Sequence, residues 1–338
     1  MSTASTLHRS APDTAHVHGL TPWHAVLGLA VALSAALAVL LSVFAWPATE
    51  TRPRDVPIAV AGPPEAVDRL RAALNAAQPG AFSIRSADGL DEARALVRDR
   101  DVDGALLLSP EGPSVIVATQ AGPAIAQALT QVVQAVAGTT VPVEDVAPAS
   151  PDDPRGTGLA AGALPLALIG GAAGGLLFLR VHGPARRSAG AVLFGLLAGP
   201  TAVGILHGWL GALTGDPLAE VAVVGLGLAA TTLGILGIAT VAGRIGLVLA
   251  ELLVVAVGNP LSGASSAPAL LPDGWAALGQ SLPPGALVAA LRAVSGFDGT
   301  GAGRPLTVLT FWAAGGLLLL ALQSFHERHP ARPHTLQS

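Results

Sequence analysis

The second half of the chain is apolar almost without relief: between Gly158 and Val257 only Arg180, Arg186, Arg187, Asp216, Glu220, Arg244 and Glu251 carry charge. Water-soluble domains keep about a quarter of their residues charged. Here 12% of 338 residues are charged and 51% are hydrophobic, with a mean hydropathy of +0.60. About 20 consecutive apolar residues suffice to cross a hydrocarbon core of about 30 Å. The expected fold is therefore an α-helical polytopic membrane protein. Six spans are read from the pattern, with an extracytoplasmic α/β domain inserted between the first and second.

Trp23–Trp46 is the first span, uncharged and closed at each end by a tryptophan suited to the interface. It is too long for the apolar region of a cleaved signal peptide. The membrane domain, 158–323, holds expected spans at 159–179, 189–213, 221–242, 245–257 and 305–323, the fourth and fifth separated by a tight turn at Arg244. Pairs of glycines four apart (Gly170/Gly174, Gly171/Gly175, Gly195/Gly199, Gly204/Gly208) suit close helix packing in lipid.

Residues 50–155 change character. Short apolar blocks at 56–61, 82–85, 102–108 and 114–118 read as strands, the last two flanking a Pro-Glu-Gly-Pro turn. Helical periodicity runs over 65–77, 90–100 and 124–137. Residues 141–157, rich in Pro and Asp, read as a linker. The carboxylates Asp88, Asp91, Glu92, Asp99, Asp101 and Asp103 lie beside Arg94, Arg98 and Arg100, a pattern of solvated pairing.

The arginines orient the chain. With the leader (1–22) in the cytoplasm, Arg180, Arg186, Arg187 and Arg244 fall inside, as does the tail (324–338). The loop 214–220 has no arginine and presents Asp216 and Glu220 outward, in keeping with the positive-inside tendency. Both termini are then cytoplasmic. The α/β domain and the stretch 258–304 share the outer side, Arg292 and Arg304 running against the tendency.

That stretch interrupts the apolar half with prolines, glycines and serines, yet keeps Leu270, Leu271, Trp275, Leu287 and Leu291. It reads as a re-entrant or interfacial segment of short helices at the membrane face, with Leu287, Ala290, Leu291 and Val294 against the bundle and Arg292 toward water.

No catalytic constellation is present. With no Cys, thiol chemistry is excluded. All basic residues are Arg, so there is no phosphate-loop lysine or Schiff base. The histidines His8, His16, His18 and His24 lack regular spacing and co-ligands for a metal. His326-Glu327-Arg328-His329 misses the zinc-protease spacing. No metal, cofactor or nucleic-acid partner is expected, and the chain is not read as an enzyme. Glu251, mid-span, and His207 are the ionisable groups at membrane depth. Such groups face a bundle interior and mark transport paths or structural pairs; Arg244 is the pairing candidate for Glu251.

The order of parts resembles the membrane subunits of ABC-2 type transporters, in the branch that includes the YhgE/Pip (phage infection protein) family. The resemblance rests on Asp101–Leu108 (DVDGALLL), on Pro154-Arg155-Gly156-Thr157-Gly158-Leu159, and on Gly258–Gly263 (GNPLSG), Leu271-Pro272, Leu282-Pro283-Pro284-Gly285 and Leu291-Arg292. It implies a dimeric permease of a bacterial plasma membrane, a composition rich in Ala, Gly, Arg and Pro fitting a GC-rich genome. ATP would be hydrolysed by a separate cytoplasmic subunit contacting the loop of Arg180, Arg186 and Arg187. The substrate path or gate would involve Glu251, His207, Pro260, Trp275, Pro283 and Pro284. The alternative is a non-transporting surface protein whose outer domain binds a partner, a cell-wall component or phage.

Overall fold

The computed structural model describes residues 22–328. The leader through Thr21 and the tail from His329, with His8, His16 and His18, lie outside the described residues. Among the described residues, those from Val43 to Arg328 make one compact unit, which carries the contacts described below. Helix α1 (Trp23–Thr49) contains the expected first span as an uncharged run of 24 residues.

The α/β domain is a five-stranded mixed sheet in the order β2-β1-β3-β4-β5. β1 (Val56–Ala61) pairs in parallel with β2 (Phe82–Ala87) and β3 (Gly104–Ser109). β3 turns back through Pro110-Glu111 into antiparallel β4 (Gly112–Val117). The crossover helices α2 (Pro64–Ala77) and α3 (Leu90–Arg98) cover opposite faces, and α4 (Pro123–Ala137) joins α2. Proline at the first helical turn starts α2 and α4, where its missing N–H costs nothing. Gly138, in the left-handed region at φ 69°, ends α4. The expected strand at 102–108 begins two residues later, because Arg100 takes a positive φ of 61° and turns the chain before β3. The stretch read as a linker also contains a strand, β5 (Val143–Asp145), parallel to β4.

Among the described residues five helical stretches are long and apolar enough to cross a membrane, and the chain is a multi-pass helical membrane protein. They are α1, α5 (Gly158–Arg180), α6 (Pro184–Leu206), the run comprising α7 (Pro217–Glu251) with its π-helical continuation Leu252–Val257, and α10 (Gly303–Arg328). The third expected span, 189–213, begins and ends earlier as α6, and 207–210 is a turn. The fourth and fifth expected spans are two legs of one helical run. At Gly243, φ 63° and ψ −145° break the helix, a conformation essentially confined to glycine. A Cβ placed on Gly246 would lie 2.8 Å from the Ile238 carbonyl oxygen. Residues eight apart in a straight helix are separated by about 12 Å, so the chain reverses at Gly243. The return leg, 244–257, is about 21 Å long, short of the roughly 30 Å of a bilayer core.

Glycines seat the legs. Gly170 meets Thr231 and Gly174 meets Ile235, so α5 and the outgoing leg run parallel; Gly171 meets Glu251 and Val255 on the return leg. The run Gly170–Gly175 thus carries two contact stripes, one for each leg. Gly195 and Gly199 receive α7 backbone at Gly225 and Val221, while a Cβ on Gly204 would meet nothing within 4 Å. α10 lies parallel to the outgoing leg, with Gly316 against the Leu233 carbonyl.

Candidate functional site

The stretch after the return leg does not lie flat on a surface. It makes two one-turn helices (Pro260–Ser262 and Pro268–Leu270), then α8 (Trp275–Ser281) and α9 (Pro283–Gly296). α9 is buried on nearly every side, its core residues Ala286, Leu287, Ala290 and Leu291 packing among α5, α6, α7 and α10. Its start lies halfway along the bundle: the Trp312 indole N–H donates to the Ser281 carbonyl at 2.9 Å, and Pro284 abuts Gly258. Leu287 then fills the groove at Gly227. At the far end of α9, Ser295 Oγ accepts from the Thr214 N–H at 2.8 Å, beside the start of α7. The interfacial reading is corrected accordingly. Gly285, Ala286, Ala289, Ala290 and Ala293 leave α9 thin enough to enter the bundle.

The same stretch is built into the α/β domain. Leu270 and Ala267 belong to the core on one sheet face, and Phe297 to the core on the other. The backbone N–H groups of Arg52 and Arg54 donate to the Leu270 and Ala269 carbonyls, both at 3.3 Å.

Irregular backbone inside a bundle needs internal hydrogen-bond partners. Arg292 supplies two of them. Expected toward water, it is 5% exposed, and its Nη2 donates to the carbonyls of Gly263 and Ala264, both at 3.0 Å. Gln280 Nε2 donates to the Ser262 carbonyl at 3.0 Å.

Glu251 is the last α-helical residue of the return leg, immediately before the π-helical turn, and its carboxylate faces Gly171 and Gly175 of α5. Among the described residues it makes no ion pair, and Arg244 does not reach it. Two turns on, Asn259 Oδ1 is buried without a hydrogen-bond partner, and Asn259 and Pro260 line a cleft of about 550 Å³ with Phe44, Ala163, Ser265 and Leu271. Asn259, in the Gly258–Gly263 stretch, is not among the expected site residues; a lone amide closing an apolar run is its signal in the sequence.

The other expected site residues are dispersed. Pro283 and Pro284 form the first turn of α9, and Trp275 meets Trp46 edge-on at 5.0 Å. His207 Nδ1 is 2.7 Å from Glu220, which also accepts from the Gly215 N–H at 2.9 Å. Glu220 is fully buried, not outward-facing as expected, whereas Asp216 caps α7 by accepting from the Ala219 N–H. At the opposite end of the bundle Arg180 and Arg186 are exposed, while Arg187 turns back to the carbonyls of Val181 and Phe178, both at 2.8 Å. His207, Glu251 and the arginine loop therefore do not form one site. Among the described residues no three potential metal ligands cluster.

In the α/β domain the expected solvated pairing holds for Arg94, which grips Glu144 with two hydrogen bonds (2.7 and 2.9 Å) and contacts Asp91. It fails for Asp103. That carboxyl is partly buried against the membrane-domain segment, and burial raises its pKa, opposed by Arg100 and Arg292.

Comparison with family models, with curated proteins and with solved structures gives no match. The site is accordingly read from its own geometry.

Proposed function

We propose that the chain is the permease subunit of an ABC-type exporter in a bacterial plasma membrane, acting as a dimer with an ATPase on a separate chain. One observation carries the reading: the return leg and α9 meet end to end near the middle of the bundle, with an unpaired carboxylate, Glu251, two turns before the break. Broken helices that meet at mid-membrane, lined by a lone ionisable group, are how transport proteins build substrate paths. In this reading the two short helices together make a sixth crossing, the α/β domain lies outside, and both termini are cytoplasmic. Arg180, Arg186, Arg187 and Arg244 then gather on the inner side, as the positive-inside tendency favours.

The connection between α5 and α6 is only three residues, 181–183. A cleft of about 340 Å³ beside it, lined by Pro184, Ala185, Ser188, Leu320, Ser324 and Phe325, supports it as the docking point of the ATPase. Substrate would pass Glu251 and the Asn259–Pro260 cleft, with the segment from Gly258 to Phe297 as the outer gate. Detergent extraction of the intact protein from native membranes tests the proposal: an ATP-hydrolysing subunit should co-purify, and its turnover in liposomes should fall with Glu251→Gln. Isolation of the chain with no ATPase, from membranes that still export normally when Glu251 is replaced, sinks it.

A further inference from the structure

Where the α/β domain meets the re-entrant segment there is a cavity of about 200 Å³ whose polar lining comes from Arg100, Asp103, Ser262, Gln280 and Arg292. The remaining wall is apolar, made of small residues of the β4–α4 connection (Ala118, Ala121, Gly122) and of the segment, with Ile125 of α4 the largest. Two guanidinium groups and one carboxylate share this space, yet among the described residues neither arginine closes an ion pair with Asp103. Arg292 is almost wholly buried and, among the described residues, has only its Nη2 engaged, leaving Nε and Nη1 without a hydrogen bond. Arg100 is fixed at the edge: its guanidinium stacks over the Phe297 ring at 5.1 Å, and Nη1 donates to the Thr300 carbonyl at 3.4 Å.

Buried guanidinium groups are costly unless their donors are used and their charge is balanced. Here the balance is incomplete, since two positive groups face one carboxyl whose ionisation burial disfavours. Guanidinium donors match the oxygens of phosphates and carboxylates in geometry and charge. At roughly 30 Å³ per water molecule, the cavity holds such a group with its immediate hydration. We infer that this cavity is a binding site for a compact oxyanion, phosphate or carboxylate, held between Arg100 and Arg292. Asp103 then faces the far side of the ligand and favours one that carries a hydrogen-bond donor there. The site joins the outer domain to the segment that enters the bundle, so an occupant ties the two together. The inference does not depend on whether the chain transports anything.

The full-length protein, purified in detergent, is titrated with inorganic phosphate and separately with acetate at constant ionic strength. Binding is read from the rise in the thermal unfolding midpoint. Saturable binding is expected for the wild type. Arg100→Gln should weaken it by about tenfold, the loss of one charge-assisted hydrogen bond. Asp103→Asn should act in the opposite sense and tighten it, because an opposing charge is removed. Arg292→Gln also removes the ties to Gly263 and Ala264 and is expected to fold poorly, so the first two variants carry the test. A parallel arm in nanodiscs compares phosphatidylglycerol with phosphatidylcholine. A stabilisation seen only with phosphatidylglycerol, and lost in Arg100→Gln, identifies the oxyanion as a lipid headgroup. No saturable shift with phosphate, acetate or anionic lipid overturns the inference, as does an equal shift in wild type, Arg100→Gln and Asp103→Asn.

Discussion

Glu220 Oε2 lies 2.7 Å from His207 Nδ1, and the carboxylate is wholly shut off from solvent. With the Gly215 N–H on the other oxygen, this pair fastens the 207–215 turn to the first turn of α7. His207→Ala leaves the carboxylate with a single donor and should cost about 1.5–3 kcal/mol, the range for hydrogen bonds to charged groups. The double variant with Glu220→Ala should cost less than the sum of the two singles. Thermal unfolding in detergent measures both, and strict additivity would mean that the contact carries no coupling.

The two-stripe glycine run makes a positional prediction. A side chain at Gly171 enters the space of Glu251 and Val255, whereas nothing lies within 4 Å of a Cβ at Gly204. Gly171→Val should destabilise by about 1–3 kcal/mol, as overpacking does. Gly204→Ala should be neutral or stabilising by up to about 1 kcal/mol. Equal losses at both positions would contradict the packing described.

At Gly243 the reversal demands a backbone conformation that residues with a Cβ rarely occupy. Gly243→Ala is expected to cost of order 1–3 kcal/mol. The strain should also loosen the turn between Ile238 and Gly246, raising hydrogen exchange there above that of the unstrained part of α7. Unchanged stability together with unchanged exchange would rule out the tight reversal.

Two carboxylates of the α/β domain respond to pH with opposite signs. The Arg94 guanidinium holds Glu144 below its ordinary value of 4.5, so its contribution is present above pH 4.5 and fades as pH falls through the lowered value. Burial holds Asp103 above its ordinary value of 3.8. Its contribution is complete below 3.8 and is lost as pH rises through the raised value. Arg94→Ala should therefore lower the unfolding midpoint at neutral pH by more than it does at acid pH, whereas Asp103→Asn should raise it at neutral pH relative to the wild type. Midpoints recorded from pH 3 to 7 check both signs.

Much of this architecture is legible in the sequence because hydrophobic period and length report it directly. The helices and four of the strands of the α/β domain fall within a few residues of expectation, as do α5 and α10, and Arg244 marks the turn, one residue past the break at Gly243. What period cannot report is which apolar surface meets protein and which meets lipid. Arg292 and Glu220 look like surface charges, because a single charge on a helix carries no signature of burial; the carbonyls of Gly263 and Ala264 and the ring of His207 come from elsewhere in the chain. α9 has a stripe that fits a surface helix, and only its alanines and glycines on the remaining faces hint at all-round packing. β5 is hidden because three residues among prolines give no measurable alternation. Of the candidate site residues, Pro260, Pro283 and Pro284 fall near one break and Glu251 two turns before it, while His207 belongs to a clamp at the domain end.

The brevity of the return leg has a consequence for biogenesis. A segment of fourteen residues that carries a carboxylate is a poor substrate for independent insertion into lipid. Its resting place beside Gly171 exists only once α5 and the outgoing leg are already side by side in the bilayer. In the proposed six-crossing arrangement, membrane integration would therefore take two steps: the long helices enter first, and the broken crossing is drawn in afterwards by the surfaces they present.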